Sequence, residues 1–431
     1  MAGSPATVGP GLTPRATSTV VWALVLLMAV PASIAGVAIA ASSSVAAGPA
    51  LLPSAAPLLT VLPTPSNPSP QQSGTCVTTL PSANGIAYTP SDIRTAYSYS
   101  SAAGAGETIA IIDAYGSPSL TSDLGCFDSE FGLAAPSLTI AQPFGSPQGR
   151  NTGWGLETSL DVEWAHAMAP AAKILLIVTP SSSLTYLVND AVPYAVQQGA
   201  RVISMSWGAT ESGLGCSTES SEATYFANAA SAGAIPVAAS GDSGAYAGTQ
   251  APTVLYPAAD PSVVGAGGTS LTTTTSYTWS SEVVWNDAAG ATGGGVSHCF
   301  SEPSYQSSAG ILVTTTSGAT TPTGRAVPDL AYDADPYTGF WVYDTTRYSG
   351  WVQVGGTSAA APQWSAIFAD ALSVGDAVTG TSVHGQIYAL LGSASVHDIT
   401  SGNNNYYYAS TGYDACTGVG TPVESSVVTA L

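Results

Sequence analysis

The stretch Gly355 to Pro362 places one serine among residues that allow the backbone to turn tightly. It reads Gly-Gly-Thr-Ser-Ala-Ala-Ala-Pro and leads into Gln363 to Leu372, which is compatible with a helix. A serine hydroxyl at a helix N-terminus lies where the partial positive charge of the helix favours a developing alkoxide or oxyanion. Ser358 is therefore a candidate nucleophile. The alternative is an ordinary glycine-rich loop whose serine caps the helix.

A serine nucleophile needs a base, and a carboxylate pair fits that role better than the histidines. The four histidines are His166, His298, His384 and His397. They lie in no recognisable catalytic motif, and we interpret them as solvated or structural. Glu157 and Asp161 are four residues apart in a segment that reads as a helix, so they share one face. An adjacent apolar stripe draws that face toward the core, where two carboxyls share a proton. The alternative is a solvated acidic face.

Short apolar runs of strand length alternate with helix-compatible segments in the middle of the chain. The runs are 108–112, 174–178, 201–205 and 235–239, and the predicted helices are 122–131, 156–168, 184–198 and 218–231. This alternation predicts an α/β fold with a doubly wound, mostly parallel sheet and helices on both faces. Region 265–350, rich in Gly, Thr and Ser, is predicted to form hairpins and surface loops. No internal repeat stands out, and we predict one domain.

The charge balance is unusual for its lack of bases. The 431 residues include 7 Lys and Arg against 27 Asp and Glu, a net charge of −20, while 45% are hydrophobic. Such a chain can bury a core but lacks the clustered cations that nucleic-acid binding requires. A protein with few cations forms few salt bridges, so it loses few when its carboxylates are protonated. The composition therefore favours an acidic working environment.

The N-terminal part of the chain reads as a targeting segment followed by a linker. Val20 to Ala41 is apolar apart from Ser33, and it ends in an A-x-A cleavage pattern. We interpret residues 1–41 as a secretion signal, with an uncleaved membrane anchor as the alternative. The protein is then secreted, or anchored to the outer face of the membrane. Residues 42–75, rich in Ala, Pro and Ser, are predicted to be a disordered linker or processing segment.

The cysteines predict disulfides rather than a metal or redox motif. The five are Cys76, Cys126, Cys216, Cys299 and Cys416. None forms a CxxC pair, which excludes the zinc-ribbon and thioredoxin signatures. An exported chain of this kind is expected to carry one or two disulfides, and because the number of cysteines is odd, at least one thiol stays unpaired. Connectivity does not follow from the sequence; our hypothesis pairs Cys76 with Cys126 as an N-terminal staple.

The order of these motifs resembles the sedolisins, the serine-carboxyl peptidases that share the subtilisin fold. The resemblance covers 76–431, with landmarks GETIAIIDAYG (106–116), ETSLDVEWAHAMAPAAKI (157–174), SGDSGAY (240–246) and GGTSAAAPQW (355–364). The last landmark contains G-T-S-x-x-x-P, the nucleophile motif of subtilisin-like peptidases. None of the four histidines lies in H-G-T-x-V-A-G, the histidine motif that a subtilisin requires. The resemblance implies a subtilisin-like fold and a monomeric, secreted acid endopeptidase acting on proteins or peptides.

The resemblance also implies a role for each catalytic residue. Ser358 is the nucleophile, Glu157 is its general base and acid, and Asp161 orients Glu157. Asp242 matches an oxyanion-hole aspartate, which donates a hydrogen bond only when protonated; from the sequence alone it would be a loop residue accepting backbone N–H bonds. Asp113 matches a further acid of some members, or caps a strand–helix turn. The proton on Asp242 and the proton shared by Glu157 and Asp161 are bound at acid pH and are lost toward neutrality.

A substrate edge and a calcium site complete what the resemblance implies. Ser206, Trp207 and Gly208 match the edge on which a peptide adds as an extra strand. One structural Ca²⁺ would be held by two carboxylates and three carbonyl groups, from Asp398, Ile399, Ser410, Gly412 and Asp414. The alternative there is a metal-free acidic turn, and for the whole domain a catalytically silent peptide-binding module.

The resemblance leaves one question open at the N-terminus. Sedolisins carry a large propeptide domain, whereas the residues before the match show no domain-like pattern. Either this domain folds without a propeptide or its linker serves as the inhibitor.

Overall fold

The computed structural model describes residues 54–62 and 76–431. They belong to one compact unit, Leu51–Leu431. The predicted targeting segment, 1–41, and most of the predicted linker lie outside the described residues. Within 54–62 and 76–431, no helix is both long and apolar enough to cross a membrane.

The strands in the described ranges are β1 (Ala56–Pro57), β2 (Thr60–Leu62), β3 (Thr108–Ala114), β4 (Ser137–Ala141), β5 (Lys173–Thr179), β6 (Val202–Met205), β7 (Trp207–Thr210), β8 (Ile235–Ala239), β9 (Leu255–Tyr256), β10 (Val264–Thr273), β11 (Trp279–Val284), β12 (Gly295–Val296), β13 (Val313–Thr315), β14 (Gly318–Thr320), β15 (Ala326–Val327), β16 (Leu330–Asp333), β17 (Phe340–Asp344), β18 (Gly350–Gly355), β19 (Val396–His397) and β20 (Thr421–Pro422).

The α-helices are α1 (Pro90–Ala96), α2 (Leu120–Phe131), α3 (Thr152–Met168), α4 (Ala191–Gln197), α5 (Glu211–Leu214), α6 (Cys216–Ser231), α7 (Ser304–Ala309), α8 (Thr357–Ser373), α9 (Val383–Ala389) and α10 (Glu424–Ala430), and a π-helical segment, Thr185–Asp190, leads into α4.

An eight-stranded sheet forms the centre of the fold. Its order is β11-β10-β8-β6-β3-β5-β4, with β16 also pairing with β10, and only the β10–β11 pair is antiparallel. Successive residues of β3 point to opposite faces: Ile109 and Ile111 join one core with α3 and α8, while Ala110 and Ile112 join a second core with α4 and α6. The predicted doubly wound α/β architecture is confirmed.

Part of the prediction for region 265–350 is wrong. Hairpins do form there, between β13 and β14 and between β17 and β18. However, β10 is a long, mostly buried strand of the central sheet. Its sequence hides this because glycines replace the usual branched residues. A Cβ on Gly267 would lie 2.6 Å from the Pro328 ring, so close packing excludes larger residues there.

Residues 54–62 also differ from the disorder predicted for the linker. They form β1, which pairs with β7, and β2, which pairs with β18. Both partner strands lie far along the chain. Because these strands depend on distant partners, the local Ala-, Pro- and Ser-rich composition does not indicate them.

Two disulfides fix peripheral segments to the domain. Cys76–Cys126 joins the start of the second described range to α2, which confirms the predicted staple. Cys216–Cys299 joins the start of α6 to the loop after β12. Cys416 keeps a free, buried thiol.

Candidate active site

The predicted nucleophile lies in the first turn of α8, at the end of the turn that follows β18. Gly356 precedes the helix with φ of +102°, a conformation that L-residues rarely adopt. A side chain on Gly356 would also collide with the Asp242 carboxyl and the Leu58 carbonyl oxygen. Ser358 is fully buried beneath these groups. Its N–H donates to the Leu58 carbonyl oxygen at 3.0 Å, and its hydroxyl donates to the Ser206 carbonyl oxygen at 3.2 Å.

Helix α3 carries the carboxylate pair to the same place. The Asn151 side chain caps its N-terminus by accepting from the N–H groups of Gly153 and Trp154, and the helix packs against α8. Glu157 and Asp161 are both fully buried, as the apolar stripe predicted. The Ser206 hydroxyl donates to Asp161 Oδ1 at 2.7 Å and so fixes that carboxyl.

Burial decides the protonation of this pair. It raises the pKa of Glu157 well above its usual range, the charge of Asp161 raises that pKa further, and the nearby Ser358 hydroxyl opposes the change. Burial and then the charge of Asp113 raise the pKa of Asp161, against the hydrogen bond from Ser206. Neither carboxyl oxygen of Glu157 accepts a hydrogen bond from the described residues. Two desolvated carboxyls with no cation beside them therefore hold at least one proton.

Asp113, at the end of β3, adds a third buried carboxyl. Neither of its oxygens has a geometrically sound hydrogen bond within the described part of the chain. Burial raises its pKa to about 7, with Thr158 opposing. An unionised Asp113 removes one of the charges that would otherwise repel the catalytic pair.

Asp242 approaches the nucleophile from the loop after β8. Its Oδ1 accepts from both the N–H and the hydroxyl of Thr357, each at 2.8 Å. Burial raises its pKa to about 7 despite those two bonds and a third contact with Thr60. Oδ1 accepts two short hydrogen bonds, whereas Oδ2 accepts only the longer one from the Thr60 hydroxyl, at 3.3 Å, so the proton is better placed on Oδ2. That oxygen lies beside Gly356 together with the Leu58 carbonyl oxygen, where a donor would face an oxyanion.

Strand β7 is the edge that the sequence assigns to the substrate. Gly208 and Trp207 pair antiparallel with Ala56 and Pro57, and the Ser206 carbonyl accepts from the Leu58 N–H at 3.1 Å. The Trp207 indole N–H donates to the Ile112 carbonyl at 2.7 Å, which fixes the edge to the sheet. Leu58 was not predicted to take part, nor was Thr357, whose place in the G-T-S motif is the one signal available.

Beside the groove lies a cavity of about 450 Å³. Its walls include Gly208, Gly241, Leu214, Leu255 and Ala247, and Asp242 is the only charged residue among the described residues that line it. A cavity of this lining favours an apolar side chain over a charged one.

The five predicted calcium ligands lie in two neighbouring turns. Asp398 is exposed, and its two carboxyl oxygens face the Gly412 N–H at 3.0 and 3.2 Å. Asp414 is buried; Oδ1 accepts from the N–H groups of Cys416 and Thr417, and burial raises its pKa to about 7. Among the described residues, none donates to the carbonyls of Ile399, Ser410 or Gly412. Free carbonyls beside two carboxyls are a donor set that suits Ca²⁺.

Another acidic cluster does not read as a metal site. Glu211 and Glu219 approach Cys299 closely, but the sulfur of Cys299 belongs to a disulfide and supplies no thiolate. The Ser297 hydroxyl and the His298 N–H donate to Glu211 instead. None of the four histidines hydrogen bonds to Ser358 within the described ranges; His166 and His384 are buried against backbone carbonyls, as structural histidines are.

A mostly parallel sheet with a buried serine at the start of a central helix, beside a carboxylate pair, is an arrangement that a subtilisin-like protein would have. The family model described as the subtilase family matches residues 149–409, and the chain belongs to that family. Kumamolisin of Bacillus sp. (strain MN-32) is 35% identical over 367 residues, which are 81% of this chain and 64% of kumamolisin. Sedolisin of Pseudomonas sp. (strain 101) is 33% identical over 373 residues, 79% of this chain and 61% of sedolisin.

Similarity to a solved structure indicates which group of subtilases the chain belongs to. Pseudomonas sedolisin, a serine-carboxyl proteinase complexed with two molecules of pseudo-iodotyrostatin, has a TM-score of 0.71 and 31% identity, covering 81% of this chain and 98% of that one. Within the subtilases, the chain belongs to the sedolisin family of serine-carboxyl peptidases. It spans less than two thirds of the length of the curated relatives it matches.

Proposed function

We propose that this protein is an acid serine-carboxyl endopeptidase that hydrolyses peptide bonds in proteins or peptides. One observation carries the proposal: a peptide carbonyl, that of Leu58, accepts the Ser358 N–H at 3.0 Å in a groove lined by Asp242. A backbone carbonyl in that place is held where an oxyanion would receive two donors.

Each site residue then has one chemical task. Glu157 takes the Ser358 hydroxyl proton as the oxygen attacks the carbonyl carbon, after the hydroxyl turns from the Ser206 carbonyl toward the carboxylate. Asp161, fixed by the Ser206 hydroxyl, shares the proton with Glu157. Protonated Asp242 and the Ser358 N–H donate to the oxyanion. Glu157 returns the proton to the leaving nitrogen, and water hydrolyses the acyl-enzyme by the same route.

The length of the groove supports an endopeptidase. The segment 54–58 runs along it for five residues on the acyl side of the bond between Leu58 and Leu59. The Ala55 N–H donates to the Ser182 carbonyl at 2.9 Å, and Ser54 pairs with Ser183. A peptidase that removes a fixed number of residues from a substrate's N-terminus needs a groove that is closed beyond those residues. Here Ser54 and Ala55 extend the bound segment beyond Ala56, the third residue from the Leu58–Leu59 bond.

Further parts of the proposal concern setting and stability. We propose one structural Ca²⁺ at Asp398 and Asp414 with the carbonyls of Ile399, Ser410 and Gly412. The ion would contribute stability, because it binds the folded state only. The disulfides support a secreted or externally anchored protein. We propose that it acts as a monomer.

Casein hydrolysis from pH 2 to 8 by the wild type and Ser358→Ala tests the function. We expect hydrolysis by the wild type at acid pH, its decline toward pH 8 and none by Ser358→Ala. The rival is a silent peptide-binding module; binding of peptides without turnover by the correctly folded wild type would favour that module and refute the enzyme.

A further inference from the structure

One wall of the cavity beside the groove is a single helical turn, α5, which follows the substrate edge β7 directly. Leu214 of this turn lines the cavity, as does Leu58 of the segment that lies in the groove. A turn of four residues has little stability of its own, so its place depends on contacts with its surroundings. Its first residue, Glu211, makes such contacts: the Ser297 hydroxyl donates to one carboxyl oxygen, and the His298 N–H donates to the other at 2.9 Å. Glu211 therefore holds the wall in place.

A second buried carboxyl, that of Glu219 on α6, faces Glu211. A carboxyl oxygen of each lies within 4.8 Å of the other. Glu211 is 2% exposed and Glu219 is 0% exposed. Neither oxygen of Glu219 accepts a hydrogen bond from the described residues, and no lysine or arginine among them forms an ion pair with either carboxyl. Two buried carboxylates at this separation would repel each other strongly, so the contact requires a proton.

The hydrogen-bond donors decide which of the two carboxyls holds that proton. Both oxygens of Glu211 accept a hydrogen bond, which favours its ionised form, whereas Glu219 receives none. Burial, and then the charge of Glu211, raises the pKa of Glu219 to about 8. Burial also raises the pKa of Glu211, against the hydrogen bonds from Ser297 and His298. Glu219 is therefore the acid, and its proton is shared with the Glu211 carboxylate.

Four further titratable groups surround this pair: Glu222 on α6, Tyr256 on β9, Asp260 in the loop after β9 and His298 in the loop after β12. Burial raises the pKa of Glu222 and of Asp260 to about 7, the latter against the Ser262 N–H and the charge of Arg325. Burial also raises the pKa of Tyr256, so its hydroxyl stays neutral. His298 is exposed, and its charge, when present, favours the ionised form of Glu211. As pH rises, negative charge therefore accumulates around Glu219 before its own proton leaves.

The turn can move while its surroundings stay fixed. Glycines flank Leu214, and the second of them, Gly215, has a φ of +80°, which glycine adopts readily. The Cys216–Cys299 disulfide joins the start of α6 to the loop that donates to Glu211. Because α6 and that loop are joined covalently, repulsion between the two carboxylates would displace the turn rather than the helix.

We propose that Glu219 is a positioning residue for the substrate, and that its proton holds the cavity wall in place. The proposal rests on the proposed function and concerns the substrate residue that enters the cavity from the acyl side. With the proton present, Glu219 binds Glu211 and α5 stays against α6. When the proton leaves, the two carboxylates repel each other and Leu214 no longer closes the cavity. Substrate binding then weakens, while the residues that carry out the reaction keep their positions.

The kinetics of wild type and Glu219→Gln test this role, because glutamine keeps a donor toward Glu211 at every pH. The measurement is KM and kcat from pH 4 to 8.5, for a peptide with leucine immediately before the scissile bond. Ionisation of the catalytic carboxyls affects both proteins and largely cancels in their ratio. About a quarter of Glu219 is protonated at pH 8.5, so kcat/KM of wild type relative to Glu219→Gln should be constant below about pH 7 and fall about fourfold by pH 8.5. The fall should lie in KM and not in kcat.

Two controls separate positioning from a general effect on the fold. A peptide with alanine in place of that leucine should show a constant ratio, because its short side chain leaves the cavity largely unfilled. Glu222→Gln removes a buried carboxyl from the same helix but leaves Glu219 in place, and it should keep the pH dependence of the wild type. A constant ratio for the leucine peptide, equal falls for both peptides, or a fall in kcat alone would refute the positioning role.

Hydrogen exchange distinguishes failure of this role from failure of the peptidase itself. The Gly215 N–H donates to the Glu211 carbonyl oxygen at 2.8 Å and so reports on the turn. Its protection factor, corrected for the intrinsic effect of pH on exchange, should fall several-fold between pH 6 and 8.5 in the wild type but not in Glu219→Gln. If the wild type hydrolyses peptides while this protection is independent of pH, only the positioning role fails. If folded wild type hydrolyses neither peptide, both fail.

Discussion

Asp242 offers the sharpest test of the proposed chemistry, because its replacement by asparagine changes one ionisation and little else. In Asp242→Asn the amide oxygen can accept both Thr357 bonds, and the amide nitrogen takes the place of Oδ2 as a donor. The pKa of Asp242 is raised to about 7 by burial. The wild-type donor is therefore about 99% present at pH 5 and about one tenth present at pH 8.

The measurement is kcat/KM of both proteins from pH 4 to 8, plotted as the ratio of wild type to Asp242→Asn. Ionisation of Glu157 and Asp161 affects both proteins and largely cancels in the ratio. We expect a flat ratio below about pH 6 and a fall of about tenfold by pH 8. Asp242→Ala, which removes the donor, should lower kcat by about 10² to 10³ at pH 5. A ratio independent of pH, or an alanine variant with wild-type kcat, would show that Asp242 is a loop residue.

Three further predictions use other parts of the molecule. Glu157→Gln should lower kcat by several orders of magnitude with an unchanged thermal midpoint, since it removes the base but keeps the side-chain shape; activity within about tenfold of wild type would contradict the assignment. A calcium chelator should lower the midpoint of the wild type but not of Asp398→Ala, and identical curves with and without chelator would contradict the calcium site. Thermal midpoints should fall from pH 4 to 8. Burial raises the pKa of Glu219 and Asp370 to about 8, so the folded state binds more protons than the unfolded state in that range and loses stability as pH rises. A midpoint that increases toward pH 8 would refute this.

The parts of the site that are local in sequence were predictable. Glu157 and Asp161 share a helix face through their spacing, and the small residues around Ser358 show a tight turn before a helix. The central strands β3, β5, β6 and β8 show themselves as continuous apolar runs.

What the sequence hides depends on contacts between distant segments. Thr357 holds Asp242 across 115 positions, and Ser206 holds Asp161 across 45. Residues 54–62 read as a linker because their partners, β7 and β18, lie far along the chain. Strand β10 was missed for a different reason. Its glycines are required by close packing against neighbouring residues, and glycines placed for that reason do not produce the apolar run that indicates a buried strand.

The scarcity of basic residues leaves buried carboxyls without a cation to stabilise their ionised forms. The pKa values of Glu157, Asp161 and Asp242 are raised first by burial, and no lysine or arginine acts against that increase. Arg325 shows the contrary case, since it lies in a buried ion pair with Asp329. A cation placed against the catalytic carboxyls in the same way would favour their ionised forms and remove the proton from Asp242. An acid-active site built from carboxyls therefore needs its surroundings free of bases, and the composition of the whole chain meets that need.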